Sequence, residues 1–192
     1  MPMGQENDGD TVTNPVTISL CLIVRDEAEL LPQFLQHASG LWDDLCVVDT
    51  GSRDATREIL AAAGARIIER AWDDDFSAAL QVAQREFDAN APDVIVGSSR
   101  GGAVAMNMDA GNTPLVLMCP AWRKFGAMQT VRQGSVILHS RLDHVVPFAN
   151  SEELVRNSGL PASALIEVGS DHRLADPDSL RAMLHACETR LL

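Results

Sequence analysis

A Gly-x-Ser-x-Gly sequence at residues 97–101 is the strongest chemical signal in this chain. It follows the apolar run 94–96 and precedes the small residues 102–105. Glycines on both sides allow a serine to occupy a strained turn between a strand and a helix, where its hydroxyl is exposed as a nucleophile. A tight turn without chemistry would use the same residue types. The motif by itself therefore leaves a nucleophilic and a purely structural role for Ser99 equally open.

An acid and a base follow Ser99 along the chain. Asp143 comes soon after the apolar run 136–139, and His172 comes soon after the apolar run 164–168. The C-terminal ends of parallel strands meet at one edge of a sheet, and Ser, Asp, His is the chain order of the triad in α/β-hydrolases. His172 would take the Ser99 proton, and Asp143 would fix the imidazole tautomer and stabilise the imidazolium. We therefore expect a triad that works through an acyl-enzyme.

Two neighbours of the expected triad are weaker alternatives. His144 adjoins Asp143 and could be mistaken for the base, but adjacent residues in a loop usually point apart. Asp171 adjoins His172 and is an alternative acid, although an adjacent carboxylate rarely reaches the far ring nitrogen. We expect the remaining histidines to be structural or surface residues, namely His37, His139 and His185.

Short apolar runs alternate with amphipathic segments from Thr17 onward, which is the pattern of β-α units around a parallel sheet. The apolar runs predict seven strands: 18–24, 45–49, 66–69, 93–97, 114–118, 135–139 and 164–168. The segments between them predict six helices: 27–38, 54–63, 76–90, 102–108, 151–157 and 178–190. We expect a three-layer, doubly wound α/β fold whose mostly parallel sheet has the strand order 3-2-1-4-5-6-7. Its topological switch point would lie between strands 1 and 4.

Length and composition indicate one ordinary globular domain. The chain has 192 residues, of which 46% are hydrophobic, and we expect a single domain over 15–192 that follows a disordered tail at 1–14. The start of the chain has no secretion signal, so we expect a cytoplasmic protein. No apolar run approaches the roughly 20 residues of a membrane-spanning helix.

The charge and the cysteines limit the partners. A formal net charge of -12 weighs against nucleic acids and anionic membranes. The four cysteines lack the paired spacing of a zinc or redox site, so we predict no metal and no cofactor. A small acyl compound is the expected substrate, and the sequence does not indicate an oligomeric state.

The chain from about Asp73 to its C-terminus resembles a small bacterial α/β-hydrolase family that is related to dienelactone-hydrolase-like proteins. The segments that carry the resemblance are 73–76, 96–102, 138–143, 146–147 and 171–177. The resemblance covers well over half of the chain. It implies Ser99, Asp143 and His172 as the triad of an esterase-type hydrolase, in agreement with the reasoning from the residues alone.

The first part of the chain is similar to the start of inverting family 2 glycosyltransferases in three segments: 18–27, 47–54 and 72–79. That resemblance implies that Glu27 and Asp49 contact a nucleotide such as UDP. The family also requires an Asp-x-Asp after its fourth strand, which holds a metal ion and the diphosphate. Here that strand ends in Ser98-Ser99-Arg100, so the metal site is missing. The alternative to an esterase is therefore a catalytically inactive hybrid that retains weak nucleotide binding.

Together the two resemblances indicate a hybrid with a seam near 73–79, a glycosyltransferase-like half at 15–76 and a hydrolase-like half at 77–192. Such a join replaces the hydrolase family's first strand and the loop that completes its oxyanion hole. The N–H of Arg100 would be one oxyanion donor, and the loop that contains Asp26 would take the place of the other. Losing one well-placed donor costs on the order of 10²–10³ in turnover, so we expect weak activity.

Overall fold

The computed structural model describes residues 19–69 and 75–190. The chain divides into two compact units, Met1–Trp72 and Asp73–Leu192. The expected tail at 1–14 lies outside the described residues, and the single domain over 15–192 stays a prediction. Within the two described ranges, no helix combines the length and the apolar character that crossing a membrane requires.

The first unit is a three-stranded parallel sheet with two helices. Its elements in chain order are β1 (Ser19–Val24), α1 (Leu31–His37), β2 (Asp44–Asp49), α2 (Thr56–Ala62) and β3 (Arg66–Glu69). The central strand is β2, which pairs in parallel with β1 and with β3. Apolar side chains of the sheet and the helices form one core, made of Val24, Leu31, Leu45, Val47 and Leu60.

Helix α1 begins later than the sequence predicts, at Leu31 rather than at Glu27. Pro32 lies in its first turn, where the fixed φ and the missing N–H of proline suit a helix start. The amide of Glu27 donates instead to Thr56 Oγ1 at 2.7 Å. This hydrogen bond connects the residues before α1 to the next helix.

The second unit is a four-stranded parallel sheet with four helices and one short 3₁₀ turn. Its elements in chain order are α3 (Phe76–Asn90), β4 (Ile95–Ser98), α4 (Arg100–Asn107), β5 (Leu115–Met118), β6 (Val136–His139), α5 (Phe148–Asn157), the 3₁₀ turn Ala162–Ala164, β7 (Leu165–Glu167) and α6 (Pro177–Glu188). The strands lie in the order β4-β5-β6-β7. Every residue of the central strands β5 and β6 is buried, which explains their almost continuous apolar sequences.

Aspartate side chains determine where two helices of the second unit begin. Asp75 Oδ1 accepts a hydrogen bond from the amide of Ala78 (2.6 Å) at the start of α3. Asp176 Oδ1 accepts one from the amide of Ser179 (2.9 Å) at the start of α6, and Pro177 lies in the first turn as the sequence predicts. Each cap satisfies an amide that has no partner within its helix.

The α/β class with parallel strands is confirmed, and the strand order within each sheet is the predicted one. The described strands form a sheet of three in the first unit and a sheet of four in the second, and the pairing of β1 with β4 that would join them stays a prediction. Each sheet packs against helices of its own unit around its own apolar core.

Candidate active site

Ser99 occupies a strained turn between β4 and α4. Its backbone has φ 51° and ψ -117°, a conformation that costs a non-glycine residue about 1–3 kcal/mol. Two hydrogen bonds hold the turn: the Ser99 amide donates to the Met118 carbonyl (2.9 Å), and the Ala121 amide donates to the Ser99 carbonyl (2.9 Å). Ser99 is only half-buried, so the turn presents it at the C-terminal edge of the sheet.

Glycines allow α4 to pack closely against β4 and against the loop after β5. A Cβ at Gly97 would lie 2.8 Å from the Gly101 carbonyl oxygen, and a Cβ at Gly102 would lie 3.0 Å from Pro120 Cβ. A Cβ at Gly101 would meet nothing within 4 Å. The close packing therefore requires glycine at positions 97 and 102, whereas the second glycine of the motif is not needed for steric reasons.

Asp143 follows β6, and its carboxylate is fully buried. Oδ1 accepts hydrogen bonds from the amides of Val145 (2.7 Å) and Val146 (2.9 Å), and Oδ2 accepts one from His172 Nδ1 (2.7 Å). Burial by itself raises the pKa of Asp143, but the hydrogen bonds from His172, the two amides and the Cys119 thiol outweigh it and lower the pKa to about 2. Asp143 is therefore ionised at neutral pH.

His172 connects Asp143 to Ser99. Its Nδ1 lies 2.7 Å from Asp143 Oδ2, and its Nε2 lies 2.9 Å from Ser99 Oγ. Because the carboxylate accepts the Nδ1 proton, Nε2 has the lone pair and accepts a hydrogen bond from the Ser99 hydroxyl. The structure thus brings together the three residues that the sequence selected, whereas the alternative base, His144, is exposed.

The loop that contains His172 is held in place on both sides. Asp171 Oδ1 accepts the amide of Leu174 (3.2 Å), so the alternative acid stabilises its own turn. Gly169 has φ 77°, and a Cβ there would lie 2.5 Å from Leu174 Cδ2. Ser140 Oγ donates to the Gly169 carbonyl (3.0 Å), which connects this loop to the end of β6.

Three solved structures share the fold of this chain. A protein of Xanthomonas campestris pv. campestris that is assigned to the hydrolases of the α/β superfamily aligns with 92% of the chain and 99% of its own length, with a TM-score of 0.56 and 19% identity. A protein of Thermoplasma acidophilum that is assigned as a CIB-like hydrolase aligns with 94% of the chain and 90% of its own, with a TM-score of 0.55 and 19% identity. The esterase domain of a Rhodothermus marinus protein aligns over 94% and 89%, with a TM-score of 0.52 and 15% identity. The fold is that of α/β-hydrolases.

Similarity in sequence is limited to a short stretch. No family model matches the chain. A TPR repeat-containing protein of Synechococcus elongatus is 56% identical over 62 residues, which are 32% of this chain. The chain thus spans about 15% of the length of the curated relative that it matches. The similarity of the first part to glycosyltransferases stays a prediction.

His139 contacts the triad, although the sequence predicts only a structural or surface role for it. It ends β6 and is fully buried, and its Nε2 lies 3.1 Å from Asp143 Oδ2. Its Nδ1 lies 2.6 Å from Ser151 Oγ. A polar residue at the end of an otherwise apolar strand, four positions before the acid, is the signal that could have revealed it.

Cys119 is a second buried neighbour of the triad. It follows β5 with φ 45°, and burial, more than the nearby Asp143 carboxylate, raises the pKa of its thiol to about 12. One ligand atom each from Cys119, Asp143 and His172 lies within 4.8 Å of the others, as in a metal site. The Cys119 thiol and His172 Nδ1 both donate hydrogen bonds to Asp143, so the three residues form a hydrogen-bond network in this structure.

The backbone N–H groups of the two expected oxyanion donors, Arg100 and Asp26, have different surroundings in the structure. Arg100 is the first residue of α4, where amides have no partner within the helix and the helix dipole favours negative charge. The Asp26 amide donates to Ser52 Oγ (2.9 Å) within the first unit. The oxyanion role of Asp26 stays a prediction.

Glu27 and Asp49, the expected nucleotide contacts, lie at the C-terminal ends of β1 and β2. Asp49 is 1% exposed, and its Oδ1 accepts hydrogen bonds from the amide (3.1 Å) and the hydroxyl of Ser52. Arg57 Nε lies 3.5 Å from Asp49 Oδ2. The Asp49 carboxylate therefore stabilises the loop after β2, whereas Glu27 is half-buried.

Proposed function

We propose that the second unit is a serine hydrolase of the esterase type, which acts on small acyl compounds through an acyl-enzyme. The observation that carries the proposal is the hydrogen-bonded chain of Ser99, His172 and Asp143. It has 2.9 Å between Ser99 Oγ and His172 Nε2, and 2.7 Å between His172 Nδ1 and Asp143 Oδ2. A base that is itself oriented by a carboxylate activates a serine hydroxyl that is otherwise a weak nucleophile.

The reaction would proceed in two halves. Ser99 Oγ forms a bond to the acyl carbon while its proton passes to His172 Nε2. The bond between the acyl carbon and the leaving oxygen then breaks, and Nε2 gives the proton to that oxygen. Water repeats these steps on the acyl-enzyme, with His172 taking the water proton and returning it to Ser99 Oγ. The products are an alcohol and a carboxylic acid.

Asp143 would support both halves by its charge. Burial opposes its ionisation, but its hydrogen bonds hold the pKa at about 2, so the carboxylate is charged at neutral and at mildly acidic pH. A charged acceptor at His172 Nδ1 selects the tautomer that leaves Nε2 free for the Ser99 proton. It also stabilises the imidazolium that forms during each half of the reaction.

We expect the oxyanion site to make turnover slow, because one of its two donors is missing from residues 75–190. The N–H of Arg100 is one donor, and in α/β-hydrolases the second comes from the loop after a strand that precedes the nucleophile strand in the chain. Over residues 75–190, no strand precedes β4, so this stretch does not supply such a loop. The loss of one donor costs on the order of 10²–10³ in turnover.

Covalent labelling tests the role of Ser99 directly. The wild type should react with a fluorophosphonate at Ser99, which peptide mass spectrometry can locate, and should hydrolyse short p-nitrophenyl esters. Ser99→Ala should lose both activities, whereas Ser98→Ala, a change at the exposed neighbour, should keep both. Labelling or hydrolysis that persists in Ser99→Ala would refute the proposal.

We propose nucleotide binding without catalysis as a second candidate, which concerns the first unit and the hybrid interpretation. The boundary between the units, at Trp72 and Asp73, falls beside the expected seam at 73–79, which supports a join of two families. The loops after β1 and β2 lie at the C-terminal edge of a parallel sheet, where ligands of such sheets bind.

Thermal unfolding in the presence of UDP tests this second candidate. UDP at millimolar concentration should raise the thermal midpoint of the wild type, and Glu27→Gln should reduce the rise. Glu29→Gln, the same change at a nearby exposed residue, is the matched control. A midpoint that UDP does not change, or an equal rise in all three proteins, would remove Glu27 from any nucleotide site.

A further inference from the structure

Two histidines donate to one carboxylate oxygen at the candidate active site. His172 Nδ1 lies 2.7 Å from Asp143 Oδ2, and His139 Nε2 lies 3.1 Å from the same atom. The mechanism proposed above uses only His172. The side chains of His139 and Asp143 are both 0% exposed, so a polar ring lies where an apolar side chain would usually pack. This placement indicates a role connected with Asp143.

The neighbours of His139 determine which of its ring nitrogens has the proton. Nε2 faces two acceptors, which are Asp143 Oδ2 and the Val146 carbonyl at 3.0 Å. Nε2 is therefore the protonated nitrogen, and Nδ1 accepts a hydrogen bond from the Ser151 hydroxyl at 2.6 Å. Both ring nitrogens are thus satisfied, and the hydrogen bonds run from Ser151 through His139 to the carboxylate.

The His139 ring is held between two elements. His139 ends β6, whereas Ser151 and Phe148 belong to α5. The Phe148 ring meets the imidazole at an interplanar angle of 61°, with 5.4 Å between the centroids. Contacts from α5 therefore fix the orientation of a ring whose backbone belongs to the central strand β6.

His139 is a neutral donor. Burial is the main effect that lowers its pKa, and its hydrogen bonds to the Val146 carbonyl and Asp143 offset part of that effect. The ionisable groups that act on the ring are Asp143 and His172, and the Cys119 thiol is hydrogen-bonded to the same carboxylate. A neutral N–H directed at Oδ2 withdraws charge from this oxygen without adding a second positive charge to the site.

We propose that His139 is a positioning residue of the triad, which fixes Asp143 Oδ2 in line with His172 Nδ1. The proposal rests on the serine hydrolase function proposed above. Two backbone amides already hold Oδ1, so a donor on Oδ2 removes the remaining rotation of the carboxylate. A displacement of about 1 Å in such a site can cost on the order of 10²-fold in rate.

Substitutions at His139 should affect turnover more than binding. His139→Leu should lower kcat on the order of 10²-fold with little change in KM, because positioning acts on the transition state. The acid limb of its pH–rate profile should move to higher pH, since a carboxylate with one donor fewer attracts the imidazolium proton more strongly.

His139→Gln has an N–H donor of similar reach and should recover most of the lost kcat. His144→Leu, the same change at an exposed neighbour, should have no effect.

Two kinetic outcomes would overturn the proposal. The first is a kcat of His139→Leu that equals that of the wild type. The second is an equal loss in His139→Leu and His139→Gln with an unchanged pH profile, because that result would indicate packing rather than donation. Thermal midpoints of the variants show whether each is folded under the conditions of the assay.

Nuclear magnetic resonance of the wild type, labelled with ¹⁵N-histidine, tests the tautomer without a variant. At pH 8, His139 should have a protonated Nε2 and an unprotonated Nδ1. A proton on Nδ1 at that pH would overturn the proposal. If His139 has the expected tautomer but hydrolysis does not depend on Ser99, the serine hydrolase function is refuted. The positioning role, which rests on that function, is refuted with it. Hydrolysis that is undiminished in His139→Leu would refute the positioning role alone.

Discussion

Asp143→Asn should reverse the tautomer of His172 and thereby remove most of the turnover. The carbonyl oxygen of asparagine would take the place of Oδ1, which accepts two backbone amides. Its NH2 group would take the place of Oδ2 and face the N–H groups of His172 and His139, so donors would meet donors. His172 can restore a hydrogen bond only by moving its proton to Nε2. That nitrogen faces Ser99 Oγ and could then no longer accept the hydroxyl proton.

The expected losses in turnover and in stability can both be estimated. The wrong histidine tautomer lowers kcat on the order of 10⁴-fold in serine proteases whose triad acid is changed to asparagine, and we expect a similar loss. Burial opposes ionisation of Asp143, yet its hydrogen bonds lower the pKa from 3.8 to about 2. That difference corresponds to about 2 kcal/mol, by which Asp143→Asn should lower the free energy of unfolding at neutral pH.

The assay is steady-state hydrolysis of a p-nitrophenyl ester, with urea unfolding of the same samples. Asp171→Asn is the matched control, since Asp171 adjoins the base, is exposed and accepts the Leu174 amide (3.2 Å) through an oxygen that asparagine retains. Its kcat should stay close to that of the wild type. An unchanged kcat in Asp143→Asn, or a larger loss in Asp171→Asn, would refute the assignment of Asp143 as the orienting acid.

Three further predictions concern stability, and urea unfolding measures each of them. The lowered pKa of Asp143 gives stability that is complete above about pH 4 and is lost as the pH falls towards about 2, so the wild type should lose more stability than Asp143→Asn over that interval. Gly97→Ala should lower the free energy of unfolding by about 1–3 kcal/mol, because its Cβ would lie 2.8 Å from the Gly101 carbonyl oxygen. Gly101→Ala, whose Cβ meets nothing within 4 Å, is its control and should stabilise α4 by up to about 1 kcal/mol. Ser99→Gly should be more stable than Ser99→Ala by about 1 kcal/mol, because glycine relieves the strain of φ 51°, while both variants lack activity.

Each of these predictions has a contrary outcome. An equal loss of stability on acidification in wild type and Asp143→Asn would show that other carboxylates dominate acid unfolding. Equal destabilisation by Gly97→Ala and Gly101→Ala would show that the close approach of α4 to β4 is not the reason for the glycine. A Ser99→Ala variant that is more stable than Ser99→Gly would show that the turn is not strained.

The strands behind the site could be predicted because their burial is visible in their composition. Strands β5 and β6 are buried throughout, and their sequences are apolar up to His139. Parallel strands share one C-terminal edge, so the chain order alone was enough to select Ser99, Asp143 and His172 as neighbours.

The pairing between strands and the start of α1 could not be predicted in the same way. An apolar run indicates that a strand is buried, but it does not indicate which strand lies beside it. Helix α1 starts at Leu31, and the residues before it are held by a hydrogen bond from the Glu27 amide to Thr56 Oγ1, which is 29 residues away. Local propensity contains no information about such a contact.

The sequence by itself determined the α/β class, the residue types of the triad and the glycine that brings β4 close to α4. Only the tertiary structure decided that Asp143 rather than Asp171 faces the base, and that His139 donates to the same carboxylate. The reason is that a hydrogen bond depends on distances of a few tenths of an ångström and on side-chain directions. Ser99 and His172 are 73 positions apart in the chain, whereas Ser99 Oγ and His172 Nε2 are 2.9 Å apart, and only the folded chain sets this distance.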